Sequence, residues 1–103
     1  MKTETISDEP MLVIRRMTLA PGESSAWHCD RCRRFSVVVA GSQLRVEYRD
    51  SGRFFDIPVH AGMAGWDDPE PEVHRAVNTG NAVYEEVVAF HRDIKDLEPQ
   101  PTF

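Results

Sequence analysis

Alternating apolar and polar residues give the clearest structural signal, in the middle of the chain. Between positions 43 and 49 every second residue is apolar, namely Leu44, Val46 and Tyr48, as expected for a half-buried β-strand. The segment Asp50-Ser51-Gly52 is typical of a hairpin turn. A second alternating run follows it, with Phe55, Ile57 and Val59. We therefore predict a β-hairpin, whose second strand ends or lies at a sheet edge near Pro58 because proline cannot donate a backbone hydrogen bond.

Apolar and β-branched runs predict further strands on both sides of this hairpin. They cover 11–19, 35–39, 73–78 and 82–90, and another strand begins within 26–28. Turn signals separate these runs, whereas 61–72 is rich in glycine, proline and acidic residues and is predicted to be a loop. Short strands with a turn signal every 8–12 residues or so, roughly as here, are typical of an all-β sandwich or barrel.

The same pattern predicts the domain organisation. A chain of 103 residues is long enough for one domain with a modest core. Residues 1–10 are polar and acidic, so we expect a flexible N-terminal arm there. Residues 11–92 would form the barrel domain, and 93–103 a C-terminal tail with weak structural signals.

Charge and hydropathy exclude some classes of partner. A net charge of −5 argues against binding to duplex nucleic acid, which would need a concentrated basic surface. No apolar run approaches the roughly 18 residues of a membrane-spanning helix, and no signal-peptide pattern follows Met1. We therefore expect a cytoplasmic protein without a membrane partner.

Two groups of residues have spacings that resemble the sequence motifs of the cupin superfamily. The first motif, Gly-x5-His-x-His-x3,4-Glu-x6-Gly, is matched at Gly22, His28 and Gly41. The second motif, Gly-x5-Pro-x-Gly-x2-His-x3-Asn, is matched at Pro69, His74 and Asn78. With the hairpin between them, the motifs cover roughly residues 11–90. The resemblance implies an all-β fold, the double-stranded β-helix or jelly-roll cupin barrel, with a metal or ligand pocket inside.

The chain departs from both motifs at specific positions. Asp30 stands where the first motif has its second histidine, and Arg34 stands where it has glutamate. In the second motif Pro71 replaces a glycine, and Met63 occupies the place of the leading glycine. Two of the four usual metal ligands are therefore changed.

The remaining ligand positions still predict a metal site. His28 and Asp30 are two positions apart, so their side chains share one face of a strand. With His74 they supply two imidazoles and one carboxylate, the set that holds Fe(II) and leaves coordination positions open in facial-triad sites. The resemblance thus implies a divalent ion (Fe, Mn, Ni or Zn) bound by His28, Asp30 and His74.

Arg34 leaves an alternative open. If it lies inside the barrel, its guanidinium would repel a divalent ion by several kcal/mol at an effective dielectric of about 20. The metal would then be lost, Asp30 and Arg34 would form an ion pair, and the pocket would bind a small anionic molecule directly. If Arg34 points outward at the strand edge, neither argument applies.

Two tryptophans are candidates for ligand binding, and two cysteines are candidates for a zinc or redox site. Trp27 and Trp66 are candidate ligand-binding residues beside Arg34, although aromatic residues on strands more often belong to the core. Cys29 and Cys32 form a Cys-x-x-Cys segment that a zinc or redox site could use. No second cysteine pair accompanies it in the sequence, which favours reduced bystander thiols.

Three functional hypotheses follow. The first is a metal-dependent small-molecule enzyme, of the oxygenase, isomerase or lyase classes that the resemblance implies. The second is a metal-free module that binds or senses a small anion, and the third is an interaction protein that works only as a dimer. The sequence identifies no catalytic residue beyond the candidate ligands. Exposed strand edges in so small a barrel predict a homodimer built on the strand 11–19 and the outer sheet.

Overall fold

A computed structural model describes residues 1–92, and the predicted tail 93–103 lies outside them. Within that range the chain forms nine strands: β1 (Lys2–Glu9), β2 (Leu12–Leu19), β3 (His28–Asp30), β4 (Arg33–Ala40), β5 (Gln43–Tyr48), β6 (Phe54–Pro58), β7 (Ala64–Asp67), β8 (Glu70–Val77) and β9 (Tyr84–His91). The described part contains no helix that is long and apolar enough to cross a membrane.

The strands form two antiparallel sheets. The five-stranded sheet has the order β1-β2-β9-β4-β7, and the four-stranded sheet has the order β3-β8-β5-β6. Both sheets contribute to one hydrophobic core, whose buried members include Val13, Met17, Leu19, Leu44, Val88 and Phe90. The predicted all-β class is therefore confirmed, because the alternating runs turn one face of each strand inward.

The predicted hairpin is present as β5 and β6, which pair from Gln43 opposite Pro58 to Glu47 opposite Phe54. Gly52 in the turn has a φ of +73°, a conformation that favours glycine. Strand β6 ends at Pro58 and lies at the edge of its sheet, as the missing proline donor requires.

The N-terminal segment differs from the expected flexible arm. Residues Lys2–Glu9 form β1, which pairs with β2 along its length, and Glu4 accepts a hydrogen bond from Arg16 at 3.0 Å. Nearly all side chains of β1 are exposed, so the strand contributes backbone hydrogen bonds to the sheet and little apolar burial. A pattern of hydrophobic positions cannot detect such an edge strand.

The predicted loop 61–72 also contains regular structure. Ala64–Asp67 form β7, which pairs with β4 at the other edge of the five-stranded sheet. Strand β8 begins at Glu70, three positions earlier than the predicted strand 73–78. The side chains of β7 are exposed, so its sequence lacks the buried face that reveals the other strands.

Candidate functional site

Strands β3 and β8 bring the two motif histidines together. His28 lies directly opposite His74 in the β3–β8 register, and their ring centroids are 4.6 Å apart. Tyr48 lies opposite His74 on the other side, from β5, with ring centroids 5.7 Å apart. The imidazole of His74 is thereby packed between two rings at the inner surface of the four-stranded sheet.

Backbone carbonyls fix the orientation of both imidazoles. Nδ1 of His28 lies 2.8 Å from the carbonyl oxygen of Ala26, and Nδ1 of His74 lies 2.7 Å from that of Glu72. A carbonyl can only accept, so each Nδ1 must carry the hydrogen and donate it. In the neutral form of either ring, Nε2 is then an unprotonated nitrogen with a lone pair.

Both Nε2 atoms face the carboxylate of Asp30. The Nε2 atom of His74 is 2.9 Å from Asp30 Oδ2, and that of His28 is 3.6 Å from Asp30 Oδ1. Asp30 is 5 % exposed. Burial by itself would raise the pKa of Asp30, but its interactions with His28, His74 and Arg34 outweigh burial and hold the pKa well below the usual range. Asp30 is thus a carboxylate at any physiological pH.

This arrangement requires a cation between the side chains. The lone pair of neutral His74 would oppose a carboxylate oxygen at 2.9 Å, so either a proton or a metal ion must lie between them. Burial lowers the pKa of His74, but the bonds to Asp30 and to the Glu72 carbonyl raise it more, to a net value above the ordinary range. One potential ligand atom from each of His28, Asp30 and His74 lies within 4.8 Å of the others. The donor set therefore fits a divalent ion.

Arg34 lies in the cavity and not at an outer edge. Its guanidinium forms an ion pair with Asp30 Oδ2 at 3.2 Å and donates a hydrogen bond to the backbone oxygen of Asp68, also at 3.2 Å. Its side chain is mostly buried. Strand β4 turns Arg34, Ser36 and Val38 inward, so the position that carries glutamate in the motif does face the site. The ion pair considered in the metal-free alternative is present.

A cavity of about 600 Å³ lies between the sheets and opens beside these residues. Its lining includes the polar side chains of the triad His28, Asp30 and His74 and of Arg34. It also includes many apolar side chains, among them Met17, Val38, Leu44, Phe55, Ile57 and Val88. A small molecule could therefore reach the triad while its apolar part is buried.

Glu86 is a cavity residue that the sequence analysis did not single out. It lies on the inner face of β9, and its Oε2 accepts a hydrogen bond from the Tyr84 hydroxyl at 3.0 Å. Burial, only partly offset by Tyr84 and Arg34, raises the pKa of Glu86 to about 7. The alternation of β9 could have indicated this inward position in the sequence. Every second residue of the strand, counted from Tyr84, faces inward, and the others in that series, Val88 and Phe90, are buried like Tyr84.

One of the two predicted tryptophans lies at the cavity. Trp66 lines the cavity rim and is 52 % exposed, and its ring also packs against Phe35 and Arg33 on the outer face of the five-stranded sheet. Trp27 does not line the cavity. It precedes the inward His28, so its ring lies on the outer face, where the guanidinium of Arg75 stacks on it at 4.2 Å.

Neither Cys29 nor Cys32 is in a disulfide, and neither lines the cavity. Cys32 is buried in the hydrophobic core, and Cys29 is partly exposed. The triad is the metal-capable cluster found among residues 1–92, and it includes neither sulfur.

Asn78, the last residue of the second motif, has a structural place. It is fully buried, donates hydrogen bonds to the carbonyls of Leu19 and Ala82, and accepts one from the backbone of Gly80. It therefore satisfies turn backbone groups that would otherwise be buried without partners. Its match to the motif reflects folding and not ligand binding.

Comparison with protein-family models and with curated protein sequences finds no match. Comparison of structures does find matches. A cupin domain from Bordetella pertussis is 16 % identical with a TM-score of 0.79, over 89 % of this chain and 93 % of that one. A cupin family protein with a double-stranded β-helix fold from Methanocaldococcus jannaschii is 15 % identical with a TM-score of 0.73, over 95 % of this chain and 85 % of that one.

An oxalate oxidase in complex with the substrate analogue glycolate is also similar, with 22 % identity and a TM-score of 0.63. The match covers 89 % of this chain but only 45 % of the oxidase. The architecture, with two antiparallel sheets around a cavity, agrees with these neighbours and with the sequence motifs. The chain has the cupin fold, a double-stranded β-helix.

Proposed function

We propose that the protein binds one divalent metal ion through His28, Asp30 and His74, and that the cavity beside this site binds a small anionic molecule. The observation that carries the proposal is the fixed orientation of the two imidazoles. Both Nδ1 hydrogens are held by backbone carbonyls, so both Nε2 atoms point at one buried carboxylate. Imidazole and carboxylate donors suit Fe, Mn, Ni and Zn.

The charges around the site support an anionic ligand. Asp30 and Arg34 neutralise each other in their ion pair, so a bound divalent ion would add a double positive charge to a largely buried place. An anion such as a carboxylate would compensate that charge, and Arg34 could bind its oxygens in a bidentate manner. Glycolate, the ligand named for the structurally similar oxalate oxidase, is a small anion of this kind.

Three protein ligands leave coordination positions for water or a ligand oxygen. A metal ion held in this way supplies Lewis acidity to a bound oxygen group, and it can activate water or dioxygen. The resident side chains would orient the ligand, with Arg34 at its anionic end and the apolar side chains of the cavity lining excluding water. Such a site is suited to the oxygenase, isomerase or lyase reactions that the sequence resemblance implies.

Calorimetric titration of untagged, metal-free protein with Mn²⁺, Ni²⁺ and Zn²⁺ tests the proposal. We expect one ion per chain, and we expect the His28→Gln and His74→Gln variants to lose binding by a factor of ten or more. His60→Gln is a matched control, because exposed His60 does not line the cavity. Equal affinity in all four proteins, or no binding by the wild type, would contradict the proposal.

The ion pair of Arg34 with Asp30 favours a second candidate, a metal-free module that binds a small anion. In that case the proton on His74 takes the place of the metal ion. Glycolate would then bind to metal-free protein, and the Arg34→Met variant would lose that binding. Glycolate binding that depends on added metal favours the first proposal.

A further inference from the structure

Glu86 lies in an environment that is unusual for a carboxyl group. Its neighbours in register are Met17 on β2 and Val38 on β4, which are 1 % and 7 % exposed. Both neighbours are apolar, and all three side chains line the same cavity as the triad. Within the described chain, no basic side chain forms an ion pair with Glu86 at 4 Å or less.

Several polar groups act on Glu86 from the surrounding strands. They are Tyr84 on its own strand, Arg34 on β4, Asp67 on β7 and Asp30 on β3. On β2, Arg15 pairs with Val88, two positions from the pair of Met17 with Glu86. Burial raises the pKa of Tyr84, so its hydroxyl keeps its hydrogen and must be the donor to Glu86. Burial and the charges of Asp67 and Asp30 favour the protonated acid, whereas Tyr84 and Arg34 favour the carboxylate.

We infer that Glu86 is the proton-exchanging group of the cavity, which passes a proton to or from a small molecule bound at the triad. The inference rests on the proposed function, because it requires a ligand at that end of the cavity. Geometry supports it independently, because Glu86 is a cavity-lining carboxyl between two apolar neighbours. The hydrogen bond that it accepts from the Tyr84 hydroxyl uses Oε2 and not Oε1. The charges of Asp30 and Arg34 reach it across the cavity, so a charge bound at the triad changes its affinity for a proton.

The proton transfer balances without another reactant. In the acid form, Glu86 gives its proton to an oxygen or carbon atom of the ligand, whose electron pair forms the new bond, and Glu86 becomes a carboxylate. In the reverse direction the carboxylate takes the proton, and the electron pair of the broken bond stays on the ligand. The Tyr84 hydroxyl stabilises the carboxylate through its hydrogen bond in either case.

A purely structural role makes a different prediction. An amide oxygen can accept the Tyr84 hydrogen bond as well as a carboxylate oxygen can. If Glu86 served only that purpose, Glu86→Gln would preserve everything except one titration. A response of that titration to a charge bound at the triad is required if Glu86 exchanges a proton with a ligand there.

Infrared titration of the carboxylic-acid band provides the experiment. Metal-free wild-type protein is titrated from pH 5 to 9 and compared with Glu86→Gln and with Glu85→Gln, whose side chain lies on the outer face of β9 near Arg16. We expect a component of the protonated-acid band that titrates with a midpoint near 7 in the wild type and in Glu85→Gln, and we expect that component to be absent from Glu86→Gln. The titration is then repeated with saturating Zn²⁺, which should lower the midpoint by about one pH unit.

Each result bears on a distinct claim. Absence of a component with a midpoint above about 5 in metal-free protein, or persistence of the near-7 component in Glu86→Gln, overturns the inference about Glu86. A midpoint that stays fixed although calorimetry shows that Zn²⁺ binds also overturns it, since Glu86 would then not respond to the site. Absence of Zn²⁺ binding contradicts the proposed metal function, and the metal-free midpoint then decides the Glu86 inference alone.

Discussion

His28 and His74 occupy the same register position on the adjacent strands β3 and β8, and their ring centroids are 4.6 Å apart. The two histidines come from different motifs, and only the pairing of these strands brings them together. Asp30, two positions beyond His28 on β3, then reaches both rings. The site is thus a consequence of strand register, so its geometry is as rigid as the sheet that carries it.

The Arg34→Glu substitution tests the role of the arginine at the motif's glutamate position. Arg34 lies 3.2 Å from Asp30 Oδ2, so its charge opposes a divalent ion at the triad. Replacing it with glutamate removes a like charge and adds a potential ligand, and we expect metal affinity to rise tenfold or more. Calorimetric titration with Zn²⁺ measures the change.

Arg33→Glu is the control for this experiment, because it alters net charge equally from the outer face. The side chain of Arg33 is about half exposed and lies near Asp68 at the surface. If both variants bind Zn²⁺ with the same affinity, the local role assigned to Arg34 is incorrect.

Metal binding should depend on pH through His74. The pKa of His74 is raised above its usual value of 6.5, and a metal ligand must be an unprotonated imidazole. As the pH falls through this raised pKa, the proton competes with the metal, so affinity should already decline above pH 6.5. Below the pKa we expect a loss of about tenfold for each pH unit. Affinity that is constant between pH 5.5 and 8 would argue against His74 as a ligand.

Glu86 should make the folded protein less stable as the pH rises. Its pKa is 4.5 as a free side chain and about 7 in the folded protein, so the native state binds the proton more tightly. The stabilisation is fully present below pH 4.5 and is lost as the pH rises through 7. Glu86→Gln lacks this titration, so relative to wild type it should gain roughly 1–3 kcal/mol in free energy of unfolding between pH 4.5 and 8.

Urea denaturation of wild type, Glu86→Gln and Glu85→Gln at several pH values measures this difference. The Glu85 variant controls for the loss of one acidic group on β9. A constant difference between wild type and Glu86→Gln at all pH values would contradict the raised pKa.

Much of the site could be predicted from the sequence. The motif spacing identified His28, Asp30, His74 and Arg34, and period-two alternation correctly put the first two on one face. Alternation also contained information that was not used, since it places Trp27 outside and Glu86 inside the cavity. Strands β1 and β7 could not be predicted in this way, because edge strands with exposed side chains are stabilised by backbone pairing, which leaves no hydrophobic pattern.

We propose that the outer face of the five-stranded sheet forms a homodimer interface. A half-buried apolar stripe crosses it, consisting of Ile14, Phe35, Val37, Val87 and Ala89. The outer face of this sheet also carries the ion pair of Arg16 with Glu85, and the outer face of the other sheet carries the ion pairs of Arg45 with Asp56 and of Arg75 with Glu47. Strand β2 lies between β1 and β9, so it has no free edge for the predicted dimer contact through the strand 11–19. We therefore place the proposed interface on the outer face of the sheet. We propose a second copy as the partner, because most soluble oligomers are symmetric homo-oligomers in which the same patch of both chains forms the interface.

Light scattering at micromolar concentration measures the assembly. We expect a dimer for the wild type and a monomer for Val37→Lys, which places a charge in the middle of the stripe. Gln43→Lys, an exposed position at the start of β5 in the other sheet, should remain dimeric. A monomeric wild type would contradict the proposal.

Anomalous X-ray diffraction from crystals grown with Zn²⁺ tests the central claim most directly. We predict one anomalous peak per chain, about 2.0–2.2 Å from Nε2 of His28, Nε2 of His74 and an oxygen of Asp30, with Arg34 displaced from its present contact with Asp30 Oδ2. The claim is contradicted if Zn²⁺ binds elsewhere, for example at Cys29 and Cys32, or if no peak occurs at the triad and Arg34 still forms its ion pair with Asp30.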